Sequence, residues 1–231
     1  MTNHYLDLLA HFGIGGAHPG GFELSKQIFE QQHLEKNHHV LDIGCGTGQS
    51  SEYLRETYGC EVTGIDIHPL MIQKANERKT DVTFLEGDVE HLPFTDHSFQ
   101  FVFTESTLSF TTIPRALKEI NRVLTPNGTA LFLEMTAEPS LPDPLKKQIK
   151  DLYHIQDIYL ESQWKEEMKA AGFSNIECLD IPSNLKESPL SDMKMSPVIP
   201  EPLYELWDLH VELVETCKEH LGFRIYRCCE F

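Results

Sequence analysis

The residues best able to do chemistry are gathered in one run, Val40-Leu41-Asp42-Ile43-Gly44-Cys45-Gly46-Thr47-Gly48. Glycines at alternate positions let backbone approach a ligand closely, because no Cβ stands in the way. A dinucleotide pyrophosphate turn requires G-x-G-x-x-G, and Gln49 stands where its third glycine would be. Asp42, two residues ahead of the turn, would repel a pyrophosphate and tolerate a cationic ligand. Asp66 closes the next β-rich run, where a carboxylate can accept both hydrogens of a ribose diol. Asp66 has a plainer reading as well, a helix N-cap or a solvated turn acid.

Such residues need strand ends to hold them. Between residues 38 and 135, short β-rich runs alternate with helical patterns. The expected strands are 38–44, 61–66, 82–85, 99–104 and 130–135, with helices at 49–58, from Pro69 to about Arg78, and from Pro114. In that last helix Ala116, Leu117, Ile120, Val123 and Leu124 form an apolar stripe, and Thr125-Pro126-Asn127-Gly128 after it reads as a turn. A helix ended by Gly172, a strand at 175–181 and a last strand at 223–231 follow. Strand–helix alternation with right-handed crossovers gives a doubly wound α/β sheet.

Two segments stand outside this alternation. Residues 1–37 form an N-terminal extension with a glycine-rich loop, Gly13–Gly21, before a helix near Phe22–Leu34. Eight prolines between Pro139 and Pro202 mark connections that read as neither strand nor long helix. In 182–221 an irregular proline-rich half precedes a helical stripe of Leu203, Leu206, Trp207, Val211, Val214, Cys217 and Leu221, which Gly222 is placed to end. The expectation is one domain, 1–231. Its core is 38–181 with 222–231, capped by 1–37 and by 182–221, and the second cap is expected to cover the crevice and set substrate choice.

Composition narrows the partners. Acidic residues number 36 against 19 Lys plus Arg, a net charge of −17, and no basic run exists to neutralise phosphates. Nucleic acid is thereby disfavoured, and no stretch approaches the apolar length of a membrane span. The first residues carry no basic segment before an apolar one, so they do not read as a secretory signal. Six cysteines without a C-x-x-C pair read as free thiols of a cytoplasmic protein rather than a zinc or redox motif.

The run D-I-G-C-G-T-G, with Asp66, G-D-V-E-H-L-P-F at 87–94 and A-L-K-E-I-N-R-V-L-T-P-N-G at 116–128, resembles the class I S-adenosylmethionine-dependent methyltransferases. The small-molecule branch that includes the ubiquinone and menaquinone C-methyltransferases is the most similar, over about residues 38–136. The resemblance implies a Rossmann-like sheet, mostly parallel with an antiparallel last strand. It implies S-adenosylmethionine as cofactor and S-adenosylhomocysteine as product. Backbone of Gly44, Gly46 and Gly48, with Asp42 ahead of them, would wrap the methionine and ribose portions. Asp66 would hold the ribose, Ile67 would pack on adenine, Asp88 would receive its amino group, and the Val89 amide would meet a ring nitrogen. Glu105 follows the fourth strand, where it either adds a carboxylate near the cofactor's amino group or caps a helix. Asn127 replaces the first glycine of the family's usual turn and tolerates the same left-handed backbone.

Methyl transfer requires a nucleophile held in line with water excluded, and a base only where that nucleophile keeps its proton. The sequence identifies no catalytic base. His18, in the glycine-rich loop, either faces the methyl group or is a turn residue; His91 and His97 read as structural, and Glu134 could reach the cavity. Cys228-Cys229 raises thiolate arsenic or metal chemistry, but adjacent strand residues face opposite ways, so no metal site is expected. The reading is a small-molecule methyltransferase whose acceptor and oligomeric state the sequence leaves open. Two alternatives stand beside it: a catalytically silent S-adenosylmethionine-binding module and a protein methyltransferase.

Overall fold

The computed structural model describes residues 4–18, 20–180 and 193–229. Its centre is β1 (His39–Ile43), whose apolar residues are buried on both faces, as a central parallel strand requires. The chain then runs outward through α3 (Gln49–Tyr58), β2 (Glu61–Asp66), α4 (Pro69–Asn76) and β3 (Thr83–Glu86). It crosses back beyond β1 to β4 (Phe99–Glu105), α5 (Ile113–Val123) and β5 (Leu124–Ala137). After α6 (Asp143–Tyr153) and α7 (Glu161–Ala170) come β6 (Ile176–Leu179), α8 (Glu201–Cys217) and β7 (Leu221–Cys229). Two helices precede β1, namely α1 (His4–Phe12) and α2 (Gly21–Glu30).

The seven strands lie in the order β3-β2-β1-β4-β5-β7-β6. β1 through β5 are parallel, and β7 runs antiparallel to both of its neighbours. The order reverses between β1 and β4, so the crevice over their C-terminal ends is where a doubly wound sheet binds ligands. One face of the sheet is sealed by α5 and α7 through Leu117, Ile120, Trp164 and Met168. The other is sealed by α2 and α3 through Leu24, Phe29 and Leu54.

Several expected boundaries move. The α4 helix stops at Asn76 rather than near Arg78, because Arg78 turns back to the Thr47 carbonyl and the Glu52 carboxylate. β5 begins at Leu124 rather than at 130. The expected turn at 125–128 is present as an irregularity within the strand, with Leu124 paired to Phe99, a register shift between Phe99 and Phe101, and Asn127 left-handed at φ 64°. Some of the described prolines after 139 mark helix entries rather than irregular connections: Pro144 opens α6 and Pro202 opens α8, while Pro197 lies in the connection ahead of α8. A ring that fixes φ near the helical value suits a first turn. The stripe of α8 also differs, because the helix ends at Cys217 and its buried residues are Leu203, Leu213 and Cys217. Val211 and Val214 are half-exposed, while Leu221 and Gly222 already belong to β7. Residues 181–192, which hold most of the proline-rich half of the expected second cap, lie outside the described residues, as do the ends of the expected strands at 181 and 230–231.

The cap takes shape from three helices. Leu8, Phe12 and Ile14 of the α1 region pack on Leu203, Leu206 and Trp207 of α8. Tyr5 joins Ile149 and Tyr153 of α6 and Leu213 and Cys217 of α8 in an adjoining cluster.

Candidate active site

A cavity of about 630 Å³ opens over the C-terminal ends of β1, β2 and β4, beneath α1 and α8. Its floor is the glycine turn. The amides of Gly44 and Cys45 both donate to the Ile65 carbonyl, at 2.8 and 3.1 Å, which lays the turn across the end of β2. Gly44 is left-handed (φ 72°), and a Cβ there would strike the Thr107 hydroxyl at 2.1 Å. Gly46 is also left-handed (φ 53°), yet a Cβ on it would meet nothing within 4 Å. Its bare face therefore looks into the cavity. Gly48 is different: it is not among the lining residues, and a Cβ would press on the Phe84 ring at 2.5 Å. Gly48 starts α3 and lets β3 pack close.

The carboxylates converge on this floor. Asp66 Oδ2 accepts the Gly46 amide at 2.9 Å, and Oδ1 accepts the His68 amide at 2.8 Å. The two readings of Asp66 are thus compatible, since it braces the entry to α4 and borders the cavity, although the N-cap itself is His68. Burial raises the Asp66 carboxyl above its ordinary value against the pull of those two amides. Asp42 is buried with Oδ2 accepting from the Ser51 hydroxyl at 2.6 Å. Burial pushes its carboxyl well above the usual range, and the charges of Glu105 and Asp66 add to the effect. Groups that carry burial and mutual repulsion together gain when a cation arrives.

Glu105 ends β4, and no helix begins there, so the helix-capping reading is corrected. Its Oε2 accepts from the Ser50 hydroxyl at 2.7 Å while Oε1 faces His18 Nε2 at 3.7 Å. His18 has a fully buried side chain and lies behind Glu105, beside Ser25 at 3.3 Å. Gly16 and Ala17 line the cavity and His18 does not. Of the two readings of His18, the structure agrees with the turn residue, here buried behind the wall rather than facing the cavity. Ser106, next to Glu105, is left-handed at φ 54°, a strained backbone of the kind that gathers at binding sites.

On the β2–β3 side, Ile67 is an exposed apolar side chain on the cavity wall, 57% accessible, and Val89 is a buried one. Asp88 Oδ1 accepts the Glu90 amide at 2.8 Å and so caps the short 3-10 turn Val89–His91. Asp88 is thus a turn aspartate that also borders the cavity.

Glu134 does not reach the cavity. It is fully buried, with Oε1 accepting from the Thr104 hydroxyl at 2.7 Å and from the Leu108 and Thr107 amides at 3.2 and 3.3 Å. Burial lifts its carboxyl to about 7. Its role is to hold the chain after β4 against β5. His97 is architectural, its Nδ1 lying 2.9 Å from the Leu124 carbonyl. Cys228 is in the core, 3.9 Å from Met168 Sδ, whereas Cys229 is partly exposed beside Thr129.

The upper wall, which includes Tyr5, Leu9, Tyr153 and His210, carries none of the motifs of the floor. Only its α1 part has a local signal, because Tyr5, Leu8, Leu9 and Phe12 fall at i, i+3, i+4 and i+7 of a helix.

A family profile described as a methyltransferase domain matches residues 41–132. Over 229 residues the chain is 33% identical to an uncharacterized methyltransferase, YodH, of Bacillus subtilis (strain 168), covering 97% of this chain and 98% of that one. It is 33% identical to phosphoethanolamine N-methyltransferase 1 of Zea mays over 71% of its own length, which spans about a third (34%) of the plant protein. Among solved structures, a Haemonchus contortus phosphoethanolamine N-methyltransferase 2 in complex with S-adenosyl-L-methionine superposes with a TM-score of 0.77 at 20% identity, over 97% of this chain and 57% of that one.

Proposed function

Because this chain belongs to the class I S-adenosylmethionine-dependent methyltransferases, we propose that the cavity floor holds that cofactor and that the space under the cap admits a small-molecule acceptor. The observation that carries the reading is the Gly46–Asp66 contact, which joins a backbone arm with an open face to a carboxylate at the end of β2. The residues present fit the cofactor. Gly46 leaves room for a ligand against backbone, and the Asp42, Asp66 and Glu105 carboxylates suit a positively charged one. When bound, the cofactor supplies a methyl group made electrophilic by its sulfonium.

The chain's own residues then bind and orient. Backbone of Gly44, Gly46 and Gly48 would carry the methionine and ribose portions, Gly48 by shaping the arm, and Asp42 would support the same region. Asp66 would accept the ribose hydroxyls. Ile67 would pack on the adenine, Asp88 would accept its amino group, the Val89 amide would meet a ring nitrogen, and Glu105 would face the amino acid end. The α1 and α8 helices would exclude water and select the acceptor. The α1 part of 1–37 and the α8 part of 182–221 would thus act as caps on a core of 38–181 and 222–231, with α2 packed on the sheet as part of that core. The net charge of −17 supports a small molecule rather than nucleic acid as partner. Among the described residues no helix is long and apolar enough to cross a membrane. Six cysteines without a metal-type pair support a cytoplasmic setting.

Calorimetric titration with S-adenosylhomocysteine and with NAD tests the reading. Saturable binding of the first and none of the second is the expected result; the reverse would overturn it.

A further inference from the structure

Over the end of β5 and the start of β7 the cavity changes character. The residues lining it from α1, α6, α8 and the start of β7 include no carboxylate, and the one ammonium among them, Lys218, is paired with Glu215 on the same stretch of chain. The wall there is aromatic. Tyr5 lies on Phe110, 10° from parallel with ring centroids 5.9 Å apart, and its ring is 4.5 Å from Tyr153 and 5.3 Å from His210. In the middle of it one polar pair crosses from α6 to α8, the Tyr153 hydroxyl and His210 Nδ1 at 3.0 Å.

We propose that this half of the cavity takes the ring of a phenolic acceptor, with the Tyr153–His210 pair holding the acceptor's hydroxyl group. The inference rests on the cofactor reading above and names the class of molecule that shares the cavity. Three observations support it.

First, the pair can both give and take a hydrogen. With the tyrosine donating to Nδ1, the imidazole keeps a hydrogen on Nε2; in the other tautomer Nε2 is a bare acceptor. Burial raises the Tyr153 phenol and lowers His210, which keeps both neutral at ordinary pH. A hydroxyl group, donor and acceptor at once, satisfies either state, whereas an ammonium can only donate.

Second, among the described residues the lining from α1, α6, α8 and the start of β7 offers an ammonium no carboxylate; the lining carboxylates, Asp42, Asp66, Asp88, Glu90 and Glu105, come from the other elements. Third, the rings are not arranged as a cage for an ammonium. A cation–π cage surrounds a void, with the cation within about 6 Å of several ring faces. Here Tyr5 and Tyr153 pack on each other, leaving one apolar wall of the kind that a flat ring covers by stacking.

The test is calorimetry on the full chain saturated with S-adenosylhomocysteine, titrated with 2-naphthol, naphthalene and 2-naphthylmethylamine. The naphthol should bind about tenfold tighter than naphthalene, the size of one or two neutral hydrogen bonds. The amine should bind no better than naphthalene. His210→Leu and Tyr153→Phe should each erase the naphthol preference while S-adenosylhomocysteine affinity stays the same. Tighter binding of the amine than of the naphthol overturns the proposal. So does a naphthol preference that survives both substitutions, or binding of no aryl compound by the wild-type chain. The wild-type comparison stands even if a variant fails to fold. Loss of S-adenosylhomocysteine binding itself would instead strike the cofactor reading, and the first titration separates the two.

Discussion

The ammonium of Lys74 and the main-chain carbonyl of Lys194 meet at 2.5 Å, joining α4 to the segment that leads into α8. The same nitrogen donates to the carbonyls of Ala10, at 2.6 Å, and His11, at 3.2 Å, at the end of α1. One buried cation on the core thus holds both caps at the point where they cross. Gly13 marks the crossing, since a Cβ there would run into the Lys194 backbone at 2.2 Å.

Lys74→Met should therefore loosen the caps without dissolving the sheet. The apolar stem is kept, but the carbonyls of Ala10, His11 and Lys194 lose the ammonium, and only the first two keep a backbone donor, the amides of Gly13 and Ser196, so the cost is roughly 1–3 kcal/mol. Hydrogen exchange should quicken in residues 4–14 and 193–196 and stay slow in β1, β4 and β5. Uniform quickening across the sheet would show that Lys74 serves global stability rather than the caps.

At Asp66 the informative change is to Asn, which retains an oxygen for the Gly46 amide, loses the acceptor of the His68 amide, and removes a charge that burial disfavours. Melting temperature should change little, the relief of a buried charge offsetting the lost bond to His68. Affinity for S-adenosylhomocysteine should fall by about 1.5–3 kcal/mol, ten- to hundredfold, as charge-assisted bonds to the ribose are weakened. Asp66→Ala is the less clean experiment, because the side chain also braces the amides of Gly46 and His68, and its loss should lower stability too. Unchanged affinity in the Asn variant would leave Asp66 a purely structural brace.

The two cavity glycines should separate folding from binding. Gly44→Ala places a methyl group within 2.1 Å of Thr107 and strains a left-handed backbone, so the fold should suffer most. Gly46→Ala carries the backbone strain alone, about 1–2 kcal/mol, and its methyl group points into open space. That variant should fold and bind S-adenosylhomocysteine poorly. Thermal melts beside calorimetry distinguish the two, and full affinity in folded Gly46→Ala would place the ligand elsewhere.

Glu134 makes stability depend on pH. Its carboxyl titrates near 4.5 when exposed and at about 7 in the fold, so the folded state binds more protons across that interval. Stability contributed by the protonated group is complete below 4.5 and is lost as pH rises toward 7, by up to about 3 kcal/mol. Glu134→Gln keeps an acceptor for Thr104, Thr107 and Leu108 and adds no charge. Urea unfolding of the variant should show this decline removed and greater stability than wild type at pH 8. An equal decline in both proteins would assign it to other groups.

The floor of the site was legible because its chemistry is local. Residues 42–48 and Asp66 are read from one strand end and the next, and the α3 and β2 boundaries, 49–58 and 61–66, match the structure. Asn127 was likewise legible as the left-handed residue of its turn. The upper wall was not, because Tyr5, Tyr153 and His210 are brought together from helices far apart in the chain, by packing that no local pattern encodes. Glu134 was misplaced, and His18 left between two readings, for the same reason. Sequence gives the strand end or loop a residue occupies, whereas its neighbours decide whether it faces the cavity or stands behind the wall.

Filling the space under α8 tests whether the caps select the acceptor. Val214 lines the cavity from α8 and is half-exposed, so a larger side chain there extends into the opening without overpacking the core. Val214→Trp should leave melting temperature within about 1 °C to 2 °C of wild type, as expected for a change outside the core. It should also leave S-adenosylhomocysteine affinity intact, because the glycine arm and Asp66 are on the opposite side, over β1 and β2. Binding of aryl ligands in the presence of S-adenosylhomocysteine should collapse. If the variant instead loses S-adenosylhomocysteine and keeps the aryl ligand, the two halves of the cavity have been assigned the wrong way round. If neither affinity changes, α8 is only packing, and the acceptor enters by another face.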